Sequence, residues 1–249
     1  GYTRATNDAG YDEATEKSDL QTLTLAALQA TFTLGRNTEA VTQLVSRGSD
    51  DWNTELEWGF LRHNVTNSLQ FRAGKMRLPL FMESETLDIG YGQPWARPPE
   101  AVYDPVPLRS YLGGDLSYTF SLPNSTLETK VFSGHVDDEA ASLDRSANVE
   151  LRNLNGLVLH WTDYVWTLRT IYAHTRATIT YPRQLTDVIN PQVLAAICIQ
   201  TVNGQCAIAD DEKTEFMGVG FSFDNGDWLL MSEVTRVEMD GYFQDTDSA

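Results

Sequence analysis

Short segments in which apolar and polar residues alternate recur along the whole chain. In residues 111–122, for example, Leu116, Tyr118 and Phe120 alternate with Ser117. Successive side chains of a β-strand point to opposite faces of its sheet, so such a segment has one apolar and one polar face. The pattern predicts an all-β protein.

The connections between the predicted strands alternate in length. Five are tight, whereas most others are long, with 78–110 and 180–213 the longest. Short turns at one rim and long loops at the other are typical of a transmembrane antiparallel up-and-down β-barrel. All nine prolines fall in predicted connections, as expected of residues that a central strand excludes. The predicted strands cover residues 1–6, 19–34, 40–47, 54–65, 69–77, 111–122, 127–135, 148–161, 164–179, 214–224 and 228–240.

Two positions do not fit the simple alternation. The predicted strand 19–34 changes parity near Ala26, so it needs a bulge there or is partly buried on both faces. Arg62 shares the parity of Trp58 and Phe60, which is the apolar parity of its strand. We expect the Arg62 guanidinium to reach the membrane interface by extending its side chain toward the nearby turn at 66–68.

Charge and hydropathy limit the function classes. No apolar run approaches the roughly 20 residues of a membrane-spanning helix, so membrane insertion would use strands. The net charge of −17 disfavours nucleic acid as a partner. Acidic blocks at 12–13, 50–51, 137–139 and 210–212 fall in predicted loops, where solvated charge is the ordinary interpretation. In a bacterial outer membrane, the expected location, these blocks would also bind lipopolysaccharide through divalent cations.

The two cysteines, Cys198 and Cys206, flank a plausible turn at 201–205. We predict a disulfide between them in an oxidising compartment, with two free thiols as the alternative. A metal site is less favoured, because no histidine or second cysteine pair lies nearby in sequence.

An enzyme is not expected, and neither is a cofactor. The four histidines, His63, His135, His160 and His174, form no motif with a serine nucleophile. The rival to a barrel is a soluble β-sandwich that binds carbohydrate or another ligand, whose apolar faces would pack on each other. Solubility without detergent distinguishes the two.

The long connection at 78–110 carries a specific resemblance. Residues 72–81 (RAGKMRLPLF), 87–91 (LDIGY) and 94–103 (PWARPPEAVY) resemble a family of porin-like outer-membrane proteins of Gram-negative bacteria, most strongly over residues 44–120. Six of the nine prolines lie in this connection, which is too long for an idle connector. The resemblance implies a water-filled barrel, narrowed where this loop folds inward, for passive diffusion of small hydrophilic solutes or ions. A homotrimer is a further implication of the family.

The charged residues in and beside this loop are the candidate constriction. Opposed rings of charge would select solutes by charge and hydration. Salt bridges that only pin the loop are the alternative for Arg97 and Arg109, and Trp95 and Tyr103 are expected to pack the loop's own core. The predicted constriction residues are Arg72, Lys75, Arg77, Glu83, Glu85, Asp88, Arg97, Glu100, Asp104 and Arg109.

The chain 1–249 is predicted to be one partial barrel domain. About 11 strands occupy it, whereas single-chain bacterial barrels close with an even number and usually end on a strand with an aromatic residue. We therefore expect a fragment that lacks both barrel ends. At the same strand spacing, a complete barrel of 16 strands would need roughly 350 residues.

Overall fold

The strands of the protein form one antiparallel sheet in which strand order follows chain order. The computed structural model describes residues 24–48, 51–84, 108–140, 147–181, 200–202, 205–240 and 246–248. The sheet runs from β1 through β8 to β10, β11 and β12, while β9 pairs with β10. The all-β, up-and-down arrangement predicted from the sequence is confirmed. The strands are β1 (Leu25–Thr33), β2 (Thr38–Arg47), β3 (Thr54–Asn64), β4 (Leu69–Arg77), β5 (Ser110–Ser121), β6 (Thr126–Ala140), β7 (Ala147–Thr162), β8 (Trp166–Tyr181), β9 (Gln200–Val202), β10 (Gln205–Asp224), β11 (Leu229–Met239) and β12 (Thr246–Ser248).

Five tight turns join β1 to β2, β3 to β4, β5 to β6, β7 to β8 and β10 to β11, as the sequence predicted. Polar side chains of the turns close them. Oδ1 of Asp163 accepts hydrogen bonds from the amides of Val165 and Trp166, at 3.0 and 2.6 Å. Oδ1 of Asn225 accepts from the Trp228 amide at 2.8 Å. Such side-chain bonds replace backbone partners in the turn, so the turns are specified locally.

The outer face of the sheet is a broad exposed apolar surface. In a soluble protein a contiguous apolar surface of this extent would be unusual, whereas transmembrane strands present one to lipid. A sandwich would bury this face against a second sheet, but the described strands form a single sheet. No helix in the described residues is long and apolar enough to cross a membrane. Exposed apolar residues of the outer face include Phe71, Leu112, Leu116, Tyr118, Phe120, Val131, Leu157, Leu159, Leu168, Tyr172, Met217 and Val219.

The inner face of the sheet carries a buried cluster. Its largest fully buried side chains include Tyr111, Met76 and Leu154. Residues 78–84, which follow β4, supply part of the same cluster, so they lie against this face. The cluster consists of Met76, Leu78, Leu80, Phe81, Leu108, Tyr111, Phe132, Val136, Val149, Leu151, Leu154, Val158, Ile171, Ala173, Ala177 and Phe216.

A contact across the sheet shows that the sheet curls toward its inner face. The Met82 amide lies 2.8 Å from Oε1 of Glu233, on β11. From Arg77 at the end of β4, five residues reach at most about 18 Å. Six strand-to-strand steps separate β4 from β11, which on a flat sheet would be about 29 Å. The strands must therefore wrap around residues 78–84.

The two sequence misfits have other causes than those predicted. β1 pairs with β2 in continuous register from Leu25 to Thr33, without a bulge, and it is exposed on both faces. β1 lies at the edge of the described sheet, and neither of its faces is buried. Burial therefore does not require apolar residues at alternate positions of β1. In β3 the register against β2 shifts between Gln43 and Leu44, with Glu57 as the extra residue. Because of this shift Leu56 is exposed on the outer face, whereas Phe60 packs against the inner cluster.

Arg62 shares the inner face with Phe60 and does not reach toward the membrane interface. Nε of Arg62 donates to Oε2 of Glu39 at 3.1 Å, and the two residues are directly opposite on β3 and β2. The expected snorkelling of Arg62 is therefore wrong. The register shift accounts for the error, because it changes which face the second half of β3 presents.

Two acidic blocks lie in strands and not in loops. Residues 137–139 belong to β6, and residues 210–212 belong to β10, which begins at Gln205 and has 20 residues. Strands of 9–11 residues suffice to cross a membrane, so β10 has ample length to carry charge beyond the apolar band. The register of β10 against β8 shifts at two places between Ala207 and Glu212. Asp211 has φ 54° there, a conformation that aspartate tolerates.

Candidate pore constriction

Residues 78–84 continue from β4 and lie on the inner face of the sheet. The Leu78 amide donates to the carbonyl of Arg109 at 2.9 Å, so the strand pairing of β4 and β5 extends one step into the connection. Leu78, Leu80 and Phe81 are buried. The Phe81 amide donates to Oγ of Ser84 at 2.8 Å, which closes a turn at the end of the segment. This geometry places the beginning of the 78–110 connection inside the curled sheet.

Apolar packing holds the segment against distant strands. The Phe81 ring meets the Phe216 ring edge-on, with ring centroids 5.5 Å apart. Phe216 lies on β10, and the inner cluster continues through Ile171 on β8 and Val158 on β7. Aromatic pairs in this arrangement add to the free energy of burial. The resemblance implied a water-filled interior, but the inner face is apolar where the segment covers it.

Arg72 lies on the inner face beside β5 and is paired. Its Nε lies 3.0 Å from each carboxylate oxygen of Asp115, and its Nη2 lies 2.6 Å from Oδ2. The guanidinium also stacks over the Phe60 ring, with Cζ 5.4 Å from the centroid. Asp115 further accepts from the Tyr111 hydroxyl at 3.4 Å. Asp115 therefore matches the charge of Arg72 within the wall. Whether Arg72 also faces the loop carboxylates stays a prediction, because most of them lie outside the described residues.

Arg77 belongs to a second ion-paired group. Nη2 of Arg77 lies 3.1 Å from Oε1 of Glu57, and Nη2 of Arg47 lies 2.7 Å from Oε2 of the same carboxylate. The Arg77 guanidinium stands over the Trp58 ring at 5.8 Å. All three charged side chains are largely buried. Two cations on one carboxylate fix the ends of β2 and β4 to β3.

The other predicted residues do not lie together on one face. Lys75 lies opposite Leu112 in the β4–β5 register, so it shares the outer face and not that of Arg72. Glu83 follows Met82 in the inward segment and is half-buried, and Arg109 is exposed just before β5. The structure thus brings Arg72 and Glu83 to the inner side, whereas Arg77 is buried in its ion pair with Glu57. The remaining predicted constriction residues, Glu85, Asp88, Arg97, Glu100 and Asp104, lie outside the described residues.

Further charged residues line the inner wall toward the short turns, and sequence reasoning missed most of them. One continuous row of residues crosses five strands, and each residue is directly opposite the next. The row consists of Glu128, His160, Arg169, Gly220 and Glu233. The sequence could have shown that these residues face inward, because they alternate with the apolar residues of the outer face. Which of them become neighbours depends on strand register, which the sequence pattern alone does not specify.

The predicted disulfide involves residues that the structure describes only in part. Cys198 lies outside the described residues, and Cys206 lies on β10 opposite Tyr181. The predicted disulfide therefore stays a prediction. Among the side chains that the structure describes, no group of three or more histidine, cysteine or carboxylate residues could hold a metal ion.

No protein-family model matches the chain, and no curated protein matches it in sequence. The solved structures to which it is similar include two forms of OmpT and the CymD channel. A loop L8 deletion mutant of OmpT, an outer membrane protein of Vibrio cholerae, is 10% identical, with 87% of this chain and 84% of that chain covered and a TM-score of 0.27. The CymD monoaromatic hydrocarbon channel is 13% identical, with 86% and 69% covered and a TM-score of 0.34. In-vitro folded OmpT of Vibrio cholerae, in a trimer form, is 10% identical, with 86% and 80% covered and a TM-score of 0.25.

These identities and TM-scores are too low to assign a family or to transfer site residues. The fold assignment accordingly rests on the sheet itself, with its chain-ordered strands and exposed apolar outer face. A single chain-ordered sheet with an exposed apolar outer face fits the bacterial outer membrane, which is the location predicted from the sequence.

Proposed function

We propose that the protein is an outer-membrane channel through which small hydrophilic solutes or ions diffuse passively. The supporting observation is the contrast between the two faces of one curled sheet. The outer face is apolar and exposed, whereas the inner face carries Arg72, Asp115, Glu128 and Arg169. Charged side chains on the side away from lipid are expected where water enters a barrel.

The connection 78–110 is proposed to narrow this channel. Its first seven residues cross the inner face, and Glu83 lies among them. Carboxylates dominate the predicted loop set, and one wall cation, Arg72, is already paired with Asp115 at 2.6 Å. A ring of carboxylates lowers the barrier for positive ions and raises it for negative ions. The channel should therefore prefer cations.

Planar-bilayer conductance of the complete protein tests the proposal. We expect steady, ohmic channels that become wider when residues 80–107 are replaced by a short Gly-Ser linker. Neutralising Glu83, Glu85 and Asp88 to the matching amides should reduce cation preference. The matched control neutralises three exposed carboxylates at or beside strand ends, Asp224, Asp227 and Asp240, and should change ion preference less.

Each result has a separate meaning. Absence of channels from a correctly folded protein would show that the proposed function is wrong. Channels that are unchanged by both the linker and the Glu83 variant would show that the 78–110 connection lies outside the narrowest part. A homotrimer is also proposed, and chemical cross-linking in the membrane measures it.

A further inference from the structure

A gap in the inner wall lies between two opposite charges. Arg169 on β8 is directly opposite Gly220 on β10, and Gly220 is directly opposite Glu233 on β11. Directly opposite residues of antiparallel strands point to the same face. Since glycine has no side chain, the row forms a notch one strand wide, with a guanidinium on one side and a carboxylate on the other.

Met82 fills this notch. A Cβ atom built on Gly220 would lie 3.1 Å from Sδ of Met82 and 3.5 Å from its Cβ, so the methionine occupies the space that a larger residue at 220 would take. Methionine is flexible and unbranched, and it suits an irregular gap of this kind. The contact joins the 78–110 connection to a strand far from β4 in the sheet order.

The charges that flank the notch bind the backbone of the segment. Nη1 of Arg169 donates to the carbonyl of Leu80 at 3.2 Å, and Nη2 donates to the carbonyl of Pro79. Oε1 of Glu233 accepts from the Met82 amide at 2.8 Å. The Arg169 guanidinium thus donates to two backbone carbonyls, and the Glu233 carboxylate accepts from a backbone amide. These bonds satisfy backbone groups of the segment that have no partner in a strand. Charge-assisted hydrogen bonds of this type are stronger than neutral ones.

We propose that Arg169, Gly220 and Glu233 form a docking site that holds residues 78–84 inside the sheet, with Arg169 and Glu233 as positioning residues of the constriction. The idea deepens the proposed function, since it identifies which part of the connection is fixed. Residues 78–84 then form a fixed segment that projects from the inner wall into the channel. Their position depends on two side chains that lie 89 and 151 residues further along the chain.

A disulfide tests the docking geometry directly. Met82→Cys combined with Gly220→Cys places two Cβ atoms about 3.5 Å apart, within the range of disulfides. Cys198→Ser and Cys206→Ser remove the native thiols from the background. We expect rapid cross-linking in the folded, membrane-inserted protein under mild oxidant. The matched control pairs Met82→Cys with Val219→Cys, which lies on the outer face and is 51% exposed, and it should not cross-link.

Thiol labelling tests the two positioning residues. In a Leu80→Cys variant the thiol is buried, so a water-soluble reagent reacts only when the segment leaves the notch. Glu233→Leu or Arg169→Met should speed labelling at least about tenfold, since each removes a hydrogen bond to a charged group. Glu233→Gln keeps an oxygen acceptor for the Met82 amide and should stay close to the parent. Glu238→Leu, on the same strand, is the control for a lost surface charge.

The outcomes separate the docking site from the channel. A folded protein that conducts but does not cross-link residue 82 to residue 220 would overturn the docking site and leave the proposed function standing. Cross-linking without conductance would support the docking site and overturn the proposed function. Equal labelling of the Glu233→Leu, Glu233→Gln and Glu238→Leu variants would show that Glu233 does not position the segment. The cross-link retains both charged residues, so it decides the question even where Arg169→Met does not fold.

Discussion

Removing Asp115 should destabilise the folded protein strongly. Its side chain is 1% exposed, and that of its partner Arg72 is 15% exposed. The pair has three N–O contacts between 2.6 and 3.0 Å. Breaking a buried ion pair by deleting one partner leaves a desolvated charge and costs about 3–5 kcal/mol. We therefore expect Asp115→Ala to lower the free energy of unfolding by an amount in that range.

The double variant Arg72→Met/Asp115→Ala should lose less than the sum of the two single variants. Neither charge remains buried in it, and the coupling energy of a contacting pair is about 0.5–3 kcal/mol. Urea unfolding of the detergent-refolded protein, followed by tryptophan fluorescence, measures all four corners of the cycle. Glu238→Ala serves as the comparison, because its pair with Arg236 is exposed and worth at most about 1 kcal/mol.

Strictly additive losses for the two single variants would mean that Arg72 and Asp115 do not interact in the folded protein. A loss for Asp115→Ala no larger than that for Glu238→Ala would mean that the carboxylate is not buried. Conductance gives an independent check. Asp115→Asn removes the matching charge from Arg72 and should shift ion preference toward anions.

Three other predictions concern the sheet and the cysteines. A spin label at Leu116 should be relaxed by oxygen, which concentrates in lipid, and one at Ser117 by a polar reagent; the reverse would refute the assignment of faces. Mass spectrometry of unreduced peptides should find Cys198 joined to Cys206, and two alkylatable thiols in oxidised protein would contradict this. Gly74→Val should abolish folding into detergent, as judged by gel mobility, because Gly74 has φ 141° and an added Cβ would lie 2.4 Å from a backbone oxygen; a folded variant would show that β4 adjusts there.

Strand positions could be predicted well wherever a strand crosses the apolar band. β4 was predicted at residues 69–77 and is observed at Leu69–Arg77, and β5 differs from its prediction by one residue at each end. The reason is physical. Lipid on one side forces a strict period of two, and the tight turns carry polar residues that close them locally.

Strand extensions beyond the apolar band were not predictable in the same way. The first half of β10 contains Asp210, Asp211 and Glu212, which resemble a loop because acidic residues seldom favour strands. Pairing with β8 overrides this preference, and Arg176 of β8 binds Oδ2 of Asp211 at 2.6 Å. Tertiary pairing of this kind leaves no periodic signal in the sequence.

The candidate site shows the same division. Alternation along β4 predicts that Arg72 points inward, but it does not predict that Asp115 is its partner. Asp115 lies 43 residues from Arg72, and Glu233 lies 151 residues from Met82. Such pairs depend on strand register and on the curl of the sheet. The alternation of apolar and polar residues specifies neither the register nor the curl. Alternation can therefore assign a residue to a face of the sheet, but it does not identify the residues that contact it.

A strand that is apolar on both faces indicates where the inward segment covers the wall. On β7, Leu157 and Leu159 are exposed on the outer face, while Val158 between them is buried on the inner face. A strand that separates lipid from water would have a polar residue at position 158. Burial of Val158 requires something to cover it, and the cluster that contains it includes Leu80 and Phe81. Loss of alternation within a barrel strand is therefore a sequence signal for an internal segment. It marks the part of the wall where residues 78–84 replace water.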